Sequence, residues 1–116
     1  MEEFTKRREI FLKVREKFSS SDYLSEKTLP SPTPLIAGAL ATAAGLTARM
    51  QALADGAADP EEREFFLGQV AELRKSIDAV GDGTVRTAAL VFFCTLSGFA
   101  NAVERYEFER GSPASL

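Results

Sequence analysis

Two long stretches of this chain carry no charge: none lies between Lys27 and Arg49, and seventeen consecutive uncharged residues separate Arg86 from Glu104. Segments of that length need an apolar environment over much of their surface, and each contains helix-spaced apolar residues rather than strict alternation. They are read as two buried helices of one small all-α domain. The first contains Leu35, Ile36, Leu40, Leu46, Met50 and Leu53, and the second Leu90, Val91, Phe92, Phe93, Leu96, Phe99 and Val103.

The rest of the pattern supplies two partner helices. Residues 2–19 are rich in long-chained helix formers, with Phe4, Phe11 and Phe18 spaced by seven and Val14 between the last two. Ile10 and Leu12 widen that seam, which fits a bundle helix better than a long coiled coil. Residues 60–80 place Phe66, Val70, Leu73, Ile77 and Val80 on one face, opposite Arg63, Glu64, Glu72, Arg74 and Lys75.

Local signals set the boundaries. Ser19-Ser20-Ser21-Asp22 ends the first helix, and a Ser/Pro connector over 20–33 follows, stiffened by Pro30, Pro32 and Pro34. A short turn over Tyr23–Lys27 is expected within it. Thr33 as N-cap and Pro34 at the first helical position start helix 2, about 34–54. Asp59-Pro60-Glu61-Glu62 combines an N-cap, a proline at N1 and a carboxylate at N3. Gly81-Asp82-Gly83 stops helix 3, and Asp82 or Thr84 caps helix 4, about 84–110. The short loop makes helices 3 and 4 antiparallel neighbours, and residues 111–116 read as a mobile tail.

The expected architecture is a four-helix bundle-like single domain over 1–116, with helices 2 and 4 as the central pair. At 116 residues the chain has the size of one domain with one core. In helix 2, Ala37, Ala41 and Gly45 recur every four residues, with Gly38 and Thr42 alongside, a pattern that admits a close helix neighbour. Gly38, Ala41, Thr42, Gly45, Phe92, Phe93 and Phe99 are therefore the candidate helix-packing and interface residues. A membrane hairpin fits less well, because the uncharged helical part of helix 2 runs only from Pro34 to Ala48 and is dominated by alanine, glycine and threonine.

Several activities are disfavoured. There is no histidine, which removes the usual base near neutral pH, the commonest metal ligand and every Ser-His or Cys-His dyad. Cys94 is the only cysteine, so an intrachain disulfide or a cysteine cluster is excluded, and its aromatic neighbours mark it as a packing residue. Glu61, Glu62 and Glu64 are explained by the helix macrodipole rather than by a metal. Gly81-Asp82-Gly83-Thr84 lacks the strand and lysine of a nucleotide loop. No cofactor, no metal and no catalytic residue is expected.

The net charge of −3 creates no field for nucleic acid. The basic residues of helix 1 are interleaved with Glu2, Glu3, Glu9 and Glu16, which reads as a solvated face. The N-terminus is charged from Glu2 onward, without the apolar stretch of a secretory signal, and a cytoplasmic location is expected.

The order of a charged helix, Pro32-Thr33-Pro34, an alanine-rich helix and a charged helix containing Glu72-Leu73-Arg74 resembles the start of the formimidoyltetrahydrofolate cyclodeaminase family, over about residues 20–90. In that family a glycine-rich turn follows Pro-Thr-Pro and contributes to the folate site. Leu35-Ile36-Ala37-Gly38 stands there in this chain, so no functional residue carries over.

Three functions follow as expectations. The first is a non-catalytic interaction or assembly protein, a homo-oligomer with a dimer as the simplest form, or bound to another protein through apolar helix faces. The second is a small-molecule carrier or degenerate cyclodeaminase-like domain, with a pocket between helices 2 and 4 offering Thr42, Thr95, Ser97 and Asn101. The third is an adaptor whose first helix docks through Phe4, Phe11, Val14 and Phe18.

Overall fold

The computed structural model describes residues 2–19, 32–81 and 86–115. They form four helices, α1 (Glu2–Phe18), α2 (Pro32–Asp55), α3 (Pro60–Val80) and α4 (Arg86–Ser115), and no strand is present among them. The fold is an all-α four-helix bundle. With 30 residues, α4 spans about 45 Å at the helical rise, close to the 43 Å longest dimension of the molecule.

Local chemistry explains most of the boundaries. Asp59 adopts extended backbone, φ −103° and ψ 130°, and its Oδ1 accepts from the Glu61 amide at 3.1 Å. Pro60 fills N1, where a missing N–H costs no helical bond. Gly81 ends α3 with φ +61°, the one positive φ among the described residues, a conformation that glycine adopts without a Cβ penalty.

Two ends differ from the sequence expectation. Thr33 does not cap α2, because the helix already begins at Pro32. First-turn amides have no intrahelical acceptor, so prolines at 32 and 34 break no bond there. At the other end α4 passes Gly111 and Pro113 and reaches Ser115, where a mobile tail was expected from 111. Glycine disfavours a helix by about 1 kcal/mol, and a proline that forfeits its bond to the residue 109 carbonyl by about 3 kcal/mol, so the last turn of α4 forms against the local preference of both residues. The expected caps at Asp82 or Thr84 and the turn over Tyr23–Lys27 lie outside the described residues.

In the packing, α1 lies mainly on α4 and α2 mainly on α3, and α4 also touches α2 and α3. The core gathers Phe11, Met50, Phe66, Leu73, Phe99 and Tyr106, each buried almost completely. Near its centre Phe11, Phe66 and Tyr106 meet edge to face, with centroid separations of 4.8 Å for Phe66–Tyr106 and 5.6 Å for Phe11–Phe66. That geometry sets ring edges against ring faces and favours such pairs beyond their buried area.

The middle of α4 is covered on most sides, Val91 being its one exposed residue between Ala88 and Val103. The expectation that α2 is also largely buried is corrected. Its inner face holds Ile36, Ala43, Leu46 and Met50, whereas Ala37, Gly38, Ala41, Thr42, Ala44, Gly45 and Ala48 are exposed. Bulky side chains gain most from leaving water, and alanine and glycine gain little. The helix therefore turns its large residues inward and its small ones outward.

Candidate functional site

The expected close contact between helices 2 and 4 through Gly38, Ala41, Thr42 and Gly45 is not formed among the described residues. A Cβ built on Gly38 or Gly45 meets nothing within 4 Å. The close approach occurs instead between α1 and α4, where a Cβ on Gly98 would overlap the Ser19 hydroxyl and the Arg15 carbonyl oxygen. Phe92 and Phe99 lie in the core, and Phe93 packs half-buried against it.

The outer face of α2 is thus uncharged and exposed from Ala37 to Ala48. Its hydroxyls make few demands on a neighbour. Thr42 donates to the Gly38 carbonyl at 3.1 Å and Thr47 to the Ala43 carbonyl at 2.9 Å. The face ends at Arg49, which crosses to α4 and pairs with Glu107. That carboxylate holds the guanidinium above its ordinary pKa, against a smaller opposing effect of burial.

The four adaptor residues of helix 1 divide. Phe4 and Phe11 are buried in the chain's own core, so they are not free to anchor a partner. This corrects the adaptor reading: α1 carries core residues at the positions where a docking helix needs exposed ones. Val14 and Phe18 remain half-buried and line an open groove of about 360 Å³ with Asn101, Glu104, Arg105 and Phe108.

Three helices meet at a buried polar cluster that the macrodipole reading of Glu62 missed. Glu62 is 6% exposed; it accepts a hydrogen bond from the Tyr106 hydroxyl, and Arg7 Nη2 lies 4.0 Å from the same carboxylate. The Arg7 guanidinium also sits over the Tyr106 ring, 5.5 Å from its centroid. Burial, reinforced by the bond to Glu62 and opposed by Arg7, pushes the Tyr106 hydroxyl up to about 12. The sequence held a clue. Glu62 and Gln69 fall in phase with Phe66 and Leu73, on the apolar stripe of α3, and both are buried.

Gln69 serves a second cluster. Arg15 Nη1 donates to Gln69 Oε1 at 2.5 Å and to Glu72 Oε2 at 2.7 Å, while the guanidinium carbon lies 4.9 Å from the Phe99 ring centroid. An arginine fixed by stacking and by bonds to one nitrogen still presents Nη2 and Nε. It borders a groove of about 670 Å³ between α1, α3 and α4.

The carrier expectation placed a ligand between helices 2 and 4, at Thr42, Thr95, Ser97 and Asn101. The structure separates these residues. Thr42 is on the outer face of α2, and Asn101 donates to the Ser97 carbonyl of its own helix at 2.8 Å. Thr95 alone borders the α1/α3/α4 groove.

For chemistry, Cys94 is buried and desolvation raises its thiol pKa, which keeps it protonated and unreactive. Among the described residues there is no cluster of three or more metal-ligating side chains, and no helix is long and apolar enough to cross a membrane. Comparison of the chain with protein-family models, curated proteins and solved structures gives no match.

Proposed function

We propose that this chain is a non-catalytic assembly protein of the cytoplasm that pairs with a second copy of itself through the outer face of α2. One observation carries the reading: the face from Ala37 to Ala48 is exposed, free of charge and open at both Gly38 and Gly45. Small residues seven apart on one face let a second backbone approach closely.

Charge favours an antiparallel, two-fold pairing. Parallel pairing sets Arg49 beside Arg49 and Asp55 beside Asp55, whereas antiparallel pairing brings the N-terminal end of each α2 to the Asp55 end of the other, as the macrodipole prefers. A two-fold axis also makes the patch self-complementary. The uncharged stretch is about 18 Å long at the helical rise and about 10 Å wide, an area of roughly 200 Å² against the ~800 Å² per partner of a standard interface. The expected dimer is weak and concentration-dependent.

Sedimentation equilibrium over a wide concentration range tests this. The mass is expected to rise from 12.6 kDa toward twice that value, and Ala41→Glu or Gly45→Lys should hold the chain at monomer mass with unchanged helical content. A wild-type chain that stays monomeric at its solubility limit overturns the proposal.

A further inference from the structure

The groove beside Arg15 does not end there. A second groove of about 250 Å³ runs between α3 and α4, and Ser76 and Thr95 line both. The two adjoin at these residues and make up one trough, and among the described residues none of α2 lines it. From Phe99 to Ala88 along α4 it extends about 16 Å at the helical rise.

Its two ends differ chemically. One end carries Arg15, Lys75, Glu16 and Glu72. Glu72 is engaged by Arg15 at 2.7 Å, while Lys75 has no ion pair among the described residues. Among the described residues both side-chain hydrogen bonds of Arg15 use Nη1, which leaves the other edge of the guanidinium. Glu16 is exposed on α1 and makes no ion pair among the described residues. The other end is apolar: Ala79, Val80, Ala88, Val91 and Phe92.

Val91 is 61% exposed in a helix otherwise covered through its middle. Leu12, at the charged end, is 40% exposed. Two of the large hydrophobic residues left facing water thus border this one trough.

We propose that this trough binds a medium-chain alkyl carboxylate, its carboxylate between Lys75 and the free edge of Arg15 and its chain running past Thr95 onto Val91 and Phe92. Fixed guanidinium and mobile ammonium are the two side chains that complement a carboxylate. The alkyl chain covers the apolar surface that Val91 now exposes. A zigzag chain advances about 1.25 Å per carbon, so roughly ten to twelve carbons fill the available length. The site is separate from the α2 face, and each reading stands or falls without the other.

The test is calorimetric titration of the full chain with dodecanoate, kept below the concentration at which it forms micelles. One molecule is expected to bind per chain, with hexanoate much weaker and dodecyltrimethylammonium not bound. Lys75→Glu and Val91→Asp, both at exposed positions, should each weaken dodecanoate by about tenfold or more while circular dichroism stays unchanged. Lys6→Glu, on the outer side of α1, should leave it unaltered. Absence of saturable binding, equal binding of the cationic amphiphile, or binding that survives both trough variants overturns the proposal.

Discussion

Gly98 of α4 lies directly against the Arg15 carbonyl of α1, so closely that a Cβ at position 98 would overlap that oxygen and the Ser19 hydroxyl. Because one of the two atoms is backbone, the strain is not relieved by rotating a side chain. Gly45, by contrast, faces open space. Gly98→Ala is expected to destabilise the fold by about 1–3 kcal/mol through overpacking, and Gly45→Ala to stabilise it by about 0.4–1 kcal/mol by restricting the unfolded chain. Urea unfolding of the two variants decides it, and equal midpoints would show that α1 does not seat on Gly98.

The bond from Tyr106 to Glu62 keeps a buried carboxylate satisfied. Tyr106→Phe should cost about 1–3 kcal/mol, the penalty of leaving a buried acceptor without its donor. Combined with Glu62→Leu, the loss should be smaller than the sum of the two single losses, since each change removes the other's partner. Additive effects in a double-mutant cycle would mean that the two groups do not interact.

Alkaline pH should weaken the same contact. An unfolded tyrosine titrates near pH 10, and the folded-state value for Tyr106 is raised to about 12. A group whose pKa is raised on folding contributes stability that is whole below its unfolded pKa and is lost as pH climbs through the folded one. The advantage of the wild type over Tyr106→Phe is therefore expected to shrink between about pH 10 and 12. Unfolding curves at stepped pH measure it, and a constant difference across that interval refutes the assignment.

Two arginines that both bond glutamate should behave differently. Arg15 is stacked on Phe99 and held by buried Gln69 as well as by Glu72, whereas the Arg49–Glu107 pair sits at the surface. Arg15→Lys should not restore the stability lost in Arg15→Ala, because an ammonium does not reproduce the planar stacked fork. Glu107→Ala should cost less than about 1 kcal/mol and fade with added salt. Thermal melts at low and high salt compare them, and full rescue by lysine would show that Arg15 acts only as a point charge.

Helix α1 belongs to the core, which makes Phe11 and Phe108 a direct contrast. Phe11 is 1% exposed and Phe108 67%. Phe11→Ala is expected to cost about 3–5 kcal/mol, and Phe108→Ala to change stability by no more than about 0.5 kcal/mol. A small effect at Phe11 would return α1 to the status of a detachable arm.

The number of helices, the Asp59-Pro60 start and Gly81 stop of α3, the apolar stripe of that helix and the covered middle of α4 are all legible in the sequence. They rest on local chemistry: capping, restricted dihedrals and side-chain periodicity act within a few residues of the chain. The candidate sites were far less legible. Arg15, Gln69 and Glu72 come together from two helices more than fifty positions apart, and Gly98 differs from Gly45 only in having a neighbour.

Lack of charge in α2 predicts burial, and there the sequence reaches its limit. An uncharged helix is permitted to be buried on every side but is not required to be, because alanine and glycine lose little by facing water. The sequence by itself determined that α2 is a helix whose large apolar residues, Leu46 and Met50 among them, are driven out of water. Which face was left open, and that Glu62 and Gln69 would be enclosed, only the tertiary structure decided. Burial is set by how many helices are present to cover a surface, and three neighbours do not cover all of α2.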